Sequence, residues 1–172
     1  MSEKILVTYA TCTGSTAGVA EAIGKVLADG GSSVDVRPII EVTDVTPYRA
    51  VVAGSAIQGN RWLPEAIQFV KANRVELNRK PFVVFLVCMT LAIKDGIYRE
   101  HVKEFMQPVR ELVRPVSEGC FASILDIAKV STLGDRIKFQ ISVKMGVWTT
   151  GDHRDWEAIR AWASDLKHRL IQ

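Results

Sequence analysis

Residues 9–20 read YATCTGSTAGVA, and the fold turns on how this stretch is understood. An apolar run at residues 5–9 (ILVTY) ends here. A helical period through Val19, Ile23, Val26 and Leu27 begins at its far end. Between the two lie Thr11, Thr13, Ser15 and Thr16, with Gly14 among them and no lysine. A helix entered at this point presents unpaired backbone N–H groups and the positive end of its dipole. The hydroxyls add donors, and the glycine lets the backbone come close. The stretch therefore reads as an anion cradle built without a charged side chain, with phosphate as its natural occupant. The competing reading is an ordinary polar N-cap loop.

Further apolar runs lie at residues 34–37 (VDVR), 50–54 (AVVAG) and 82–88 (FVVFLVC), with a weaker one at 120–125 (CFASIL). The runs at 5–9, 50–54 and 82–88 are apolar on both faces, as strands buried on both sides of a parallel sheet must be. Helical stripes follow them. One passes through Leu63, Ala66, Ile67 and Val70, and another through Val102, Phe105, Met106, Val109, Leu112 and Val113. The last passes through Trp156, Ile159, Trp162, Leu166 and Leu170, at the i, i+3, i+4, i+7 spacing of a helix with one apolar face. Gly30 and Gly31 stop the first helix, Pro64 opens the second, and Asp155 or Asp152 caps the last.

Strands alternating with helices predict a three-layer, doubly wound α/β sheet of five parallel strands in the order 2-1-3-4-5. The whole chain, residues 1–172, reads as a single domain with an insertion at about residues 126–150. The connection at residues 38–49 is too short for more than weak helix. The insertion is ambiguous. Ile137, Phe139, Ile141, Val143, Met145 and Val147 alternate as in a strand, yet Leu133, Ile137, Ile141 and Met145 share one side of a helix.

Composition narrows the function. The formal net charge is +3, and no Lys/Arg-rich run is interleaved with aromatics, which argues against nucleic acid. Cys12, Cys88 and Cys120 are far apart, with no CxxC pair, which argues against a disulfide framework or a zinc site and for a reducing, cytoplasmic compartment. The longest apolar run, residues 82–89, is too short to span a bilayer. The loop at 11–16 is not a GxxxxGK[ST] P-loop and lacks the GxGxxG dinucleotide pattern. A response-regulator receiver needs acidic residues where this chain has Ala10-Thr11 and Gly54-Ser55.

The hexamer at residues 11–16, TCTGST, matches the [ST]-x-T-G-x-T phosphate loop of the flavodoxins. GSAIQGNRWLPEA (54–66), FLVCMTL (85–91) and GDHRDWEAIRAWA (151–163) resemble flavodoxin-domain proteins of the menaquinone-dependent protoporphyrinogen dehydrogenase type, which also carry a long insertion where 126–150 falls. The resemblance covers essentially the whole chain and implies FMN as cofactor. By position it implies that Thr11, Thr13, Gly14, Ser15 and Thr16 hold the FMN phosphate, with Cys12 contributing backbone. It places Ser55, Ala56, Ile57, Gln58, Gly59, Asn60 and Trp62 beside the isoalloxazine ring, with Cys88, Met89, Thr90 and Leu91 on the other side.

Trp62 has two readings: an aromatic wall against the flavin, or a hydrophobic staple packing near Ala66. Cys12, at a helix N-terminus, is either a thiol of lowered pKa or a small side chain that fits a tight loop. His101, His153 and His168 form no pattern and read as structural or exposed.

The resemblance implies an electron-transferring protein whose partner is a quinone or another redox protein. Two functions stay open: a quinone-linked oxidoreductase and a non-enzymatic carrier. A third reading is a binding module on the same fold that has lost its flavin. Typical flavodoxin carriers are acidic, and this chain is not. The insertion carries Lys129, Arg136, Lys138 and Lys144 against Asp126 and Asp135. With Phe139, Ile141, Met145 and Trp148 it reads either as a peripheral contact for a membrane or partner, or as a segment packed on the sheet edge with solvated charges.

Overall fold

The computed structural model describes residues 4–93 and 96–170. Strand β1 (Lys4–Ala10) leads through the hydroxyl-rich loop into helix α1 (Ser15–Asp29), which stops at Gly30. Strand β2 (Ser33–Pro38) follows, and a single 3-10 turn (Ile39–Glu41) occupies the short connection to β3 (Ala50–Gln58). β3 folds back into β4 (Arg61–Trp62) and then α2 (Pro64–Ala72) and α3 (Arg74–Leu77). β5 (Phe82–Cys88) precedes a 3-10 turn (Met89–Ala92), α4 (Gly96–Lys103), another 3-10 turn (Glu104–Met106) and α5 (Gln107–Arg110). The chain closes with β6 (Ser117–Ala122), β7 (Ile124–Leu125), α6 (Leu133–Lys144), β8 (Gly151–Asp152) and α7 (Trp156–Leu170).

The parallel strands run β2-β1-β3-β5-β6, the anticipated order. Alternation along each strand divides the core in two. Leu6, Val51, Ala53, Val84 and Leu86 face α2 and the 102–113 segment, against Ala66, Val70, Val102, Met106 and Val109. Ile5, Val7, Val52, Val83, Phe85 and Val87 face α1 and α7, against Val19, Ile23, Leu27, Ile159, Ala163 and Leu166. Because side chains alternate with period two, a strand buried on both faces must be apolar throughout. β5 is buried at all seven residues.

Several local readings are refined. The stripe through Val102 and Val113 is three short helical pieces, broken around Pro108, whose missing N–H cannot continue an α-helical ladder. The last parallel strand begins earlier than residue 120, at Ser117, and Ile124–Leu125 leaves the main sheet to pair antiparallel with β8. Asp155, rather than Asp152, caps the last helix, accepting from the Ala158 N–H at 2.9 Å. The ambiguous segment is helical: α6 takes the 3.6-residue alternative. Thr132 caps it, accepting from the Asp135 N–H at 3.2 Å, and the Asp135 carboxylate accepts from the Thr132 hydroxyl at 2.6 Å. Among the described residues no helix is long and apolar enough to cross a membrane.

Candidate functional site

The carboxyl ends of β1, β3, β5 and β6 converge on one edge of the sheet, where doubly wound folds bind ligands. A cleft of about 260 Å³ lies there. Cys12 and Thr13 form one lip, and Ala56, Ile57, Gln58 and Gly59 another. Val87 and Met89 come from the end of β5, and Ser123–Asp126 from the end of the last parallel strand. Val130, Ser131, Asp135 and Phe139 wall the cleft from the 126–150 segment.

The loop at 11–16 is organised around Gly14, whose φ of 95° lies in the left-handed region. A side chain there would be strained even though the space beside it is open. Thr11 Oγ1 accepts from the Gly14 N–H at 3.0 Å and rounds the turn. Among the described residues no side chain caps the start of α1, so its first-turn N–H groups remain for a ligand. Thr16 Oγ1 is fully buried and has no hydrogen-bond partner among the described residues. A buried hydroxyl without a partner is costly, and a phosphate oxygen would relieve it. Ser15 is also buried. Its Oγ accepts from the Ile124 N–H at 3.3 Å, which leaves the hydroxyl proton free to donate. These donors, with no cation among the six residues, suit a phosphate.

Behind the loop, Arg154 Nη1 donates to the Ser15 carbonyl at 3.3 Å. The guanidinium is held by Asp152, with Nε to Oδ1 at 2.9 Å and Nη2 to Oδ2 at 2.7 Å, and it stacks 4.3 Å over the Trp156 ring. Arg154's hydrogen bond to the Asp152 carboxylate holds that group below its usual pKa, against a partial rise from burial. Gly18 makes room for this cation: a Cβ there would meet Nη1 at 2.5 Å. Sequence reasoning missed Arg154, which lies well over a hundred residues from the loop it braces.

The lip after β3 is a tight hairpin. Ile57 pairs with Trp62 and Gln58 with Arg61, around Gly59 and Asn60 at φ 56° and 61°. Two consecutive positive φ values are the mark of a type I′ turn, which favours Gly and Asn. Ser55 is fully buried beneath it, accepting from the Leu63 N–H at 3.0 Å and donating to the Ala56 carbonyl at 2.8 Å. Its hydroxyl is consumed by the hairpin. Trp62 is 4% exposed and packs in the same core cluster as Ala66, the staple alternative. Asn60 is exposed at the hairpin tip. Cys88 is buried at the end of β5, with Thr90 and Leu91 half-buried in the turn beyond. Of the seventeen residues anticipated from sequence, the cleft is lined by Cys12, Thr13, Ala56, Ile57, Gln58, Gly59 and Met89. Thr11, Gly14, Ser15 and Thr16 continue the same loop.

Cys12 is exposed, and its Sγ lies 3.9 Å from Gln58 Oε1, across the two lips. Partial desolvation of the thiol between the two lips, then the nearby charge of Glu65, raises its pKa, the opposite of an activated thiol. Cys120 is pushed up to about 11, chiefly by burial.

The missed wall is held by Arg136, whose Nε donates to the Val130 carbonyl at 2.6 Å and Nη2 to the Ala128 carbonyl at 2.9 Å. Phe139 meets Trp148 edge-on, with centroids 6.3 Å apart. The signal for this wall was the mixed period of the segment, which the sequence alone leaves as strand or helix.

Residues 6–155 match the family model described as a flavodoxin domain. The chain belongs to the flavodoxin-domain family. The cofactor is FMN, and the protein is an FMN-binding flavoprotein that transfers electrons. A curated relative, the quinone-linked protoporphyrinogen IX dehydrogenase of Leishmania major, is 26% identical over 179 residues, spanning 96% of this chain and 75% of the relative. An archaeal flavodoxin is similar in fold, with a TM-score of 0.59 at 18% identity over 98% of this chain and 99% of that one. The flavodoxin of Streptococcus pneumoniae TIGR4 gives the same score and identity over 96% and 99%.

Proposed function

We propose that this flavodoxin-domain protein is a quinone-linked oxidoreductase, taking electrons from a small organic substrate and passing them to a quinone. When bound, FMN supplies the redox chemistry. The chain binds, orients and shields it. Thr13, Ser15 and Thr16 and the first-turn N–H groups of α1 receive the phosphate, Thr11 and Gly14 shape the loop, and Arg154 braces it from behind. Ala56, Ile57 and Gly59 border the ring on one side and Met89 on the other, as the family resemblance implies.

The observation that carries the reading is the wall from 126–150. A carrier that meets protein partners works best with an exposed flavin edge. Here Val130, Ser131, Asp135 and Phe139 border the cleft where the ring would lie, making a partly enclosed chamber of mixed apolar and polar lining. Such a chamber suits a small planar substrate better than a protein surface. The Leishmania relative's quinone-linked activity supports the same reading.

The test is anaerobic turnover of protoporphyrinogen IX with a menaquinone analogue as acceptor. Turnover dependent on both compounds is expected. No turnover, with fast electron exchange with a ferredoxin-linked reductase, would instead identify a carrier.

A further inference from the structure

A second cavity, of about 360 Å³, opens beside the cleft. It is built where α6 ends. Gly146, at φ 75°, reverses the chain there. Its N–H donates to the Val143 carbonyl at 3.0 Å, and the Val147 N–H donates to the Ser142 carbonyl at 2.9 Å. Val147, Trp148 and Thr149 then wall the cavity, with Ala92 and Ile93 from the turn after β5 and His153 from the chain just beyond β8.

The cavity and the cleft share none of the described lining residues, yet they adjoin in three places. The turn after β5 gives Met89 to the cleft and Ala92 to the cavity. Phe139 of the cleft meets Trp148 of the cavity edge-on. The carbonyl of Ser123, a cleft residue, accepts from the His153 N–H at 3.2 Å. The cavity therefore lies against the wall of the flavin chamber.

The lining is uncharged and partly aromatic. Trp148 supplies a ring, and Ile93 and Val147 supply aliphatic surface. No Lys, Arg, Asp or Glu is among the described lining residues. The polar groups are the Thr149 hydroxyl and the His153 imidazole. His153 Nε2 donates to the Thr149 carbonyl at 2.6 Å and lies 3.4 Å from the Thr149 Oγ1. A hydroxyl both donates and accepts, so Thr149 can bond a ring carbonyl or the hydroxyl that replaces it on reduction. A charged ligand would find no counter-ion at this lining. A flat, uncharged ring that bears oxygen suits it.

We propose that this cavity is the subsite for the ring of an uncharged quinone, seated against Trp148 with one ring oxygen at Thr149. The inference rests on the quinone-linked reading above and names where the acceptor sits.

The FMN-loaded, oxidised full chain is dialysed to equilibrium against dimethylnaphthoquinone, whose quinone ring has no free position to add a thiol. One saturable site is expected, with FMN still bound. Val147→Trp fills the cavity from an exposed position and should weaken binding by at least about tenfold. Thr149→Val removes the hydroxyl and should weaken it by about fivefold. Neither residue lines the cleft, so circular dichroism and FMN affinity should match the wild type. No saturable binding to the wild type would overturn the proposal. So would wild-type affinity in both variants. Protoporphyrinogen IX turnover with the same quinone separates this site from the reading it rests on. Turnover with an unchanged quinone KM in both variants would overturn the site and keep the quinone-linked reading. Binding that Val147→Trp abolishes, without turnover by the wild type, would support the site and reject that reading.

Discussion

Arg154 and Ser15 are 139 positions apart in the chain, yet the Arg154 Nη1 donates to the Ser15 carbonyl at 3.3 Å. The last connection of the fold thus braces its first loop. Arg154→Met keeps the aliphatic bulk and removes the donors. It should cost about 2 kcal/mol of stability, the usual worth of hydrogen bonds from a charged group at low exposure. FMN affinity should fall as well, because the carbonyl that fixes the loop's exit is released. Thermal denaturation and a flavin titration measure the two effects.

The Asp152 partner gives this brace a pH dependence. Its folded pKa is lowered, first by the hydrogen bond from Arg154. Its contribution is therefore fully present above the ordinary carboxylate value and is lost as pH falls through the lowered one. The carboxylate is 40% exposed, so screening keeps the effect small. Asp152→Asn should slightly lower stability above pH 6, where the contribution is full, and converge with the wild type as pH falls below about 4. Urea titrations across that range check the sign.

Thr16 separates stability from binding. Its buried hydroxyl has no partner among the described residues, so Thr16→Val should leave the flavin-free protein as stable or up to about 1 kcal/mol more stable. The same change should weaken FMN by roughly tenfold or more, because a phosphate donor is lost. A drop in flavin-free stability with unchanged affinity would assign Thr16 to the core.

Cys12 should behave as an ordinary slow thiol. Its pKa is raised by partial desolvation and by Glu65, so iodoacetamide should label it slowly at neutral pH and faster only in alkali. It lines the cleft, so FMN should protect it. Fast labelling at pH 7 would contradict this environment. Mass spectrometry of the labelled peptide reads both effects.

Gly54 on β3 sits beside the Phe85 ring on β5, so closely that an added Cβ would collide with it. Gly54→Ala should cost roughly 1–3 kcal/mol through overpacking, measurable by chemical denaturation. FMN affinity should change little, since neither residue lines the cleft.

The sequence made the sheet and the hydroxyl-rich loop before α1 legible for clear reasons. Strands buried on both faces leave continuous apolar runs, as β5 does, and the TCTGST loop keeps its hydroxyls contiguous. Arg154 was not legible, because a bracing contact over that separation leaves no local pattern. The hairpin at Gly59-Asn60 was encoded in a turn pair, but the stretch was read only for its place beside the ring. The four-residue spacing of Leu133, Ile137, Ile141 and Met145 marks one side of a helix without saying whether that side is buried. The structure exposes it and turns Phe139 inward. Burial of Trp62 was equally hidden, because a staple and a flavin wall share one sequence signal.

The central claim is that residues 11–16 hold the phosphate of FMN. Fluorescence titration of the flavin-free protein with FMN and with riboflavin, which lacks only the phosphate, tests it most directly. FMN should bind at least about a hundredfold more tightly, as several charge-assisted hydrogen bonds require, and Thr16→Val should narrow the gap. Equal affinity for the two flavins, or no binding of either, would contradict the account.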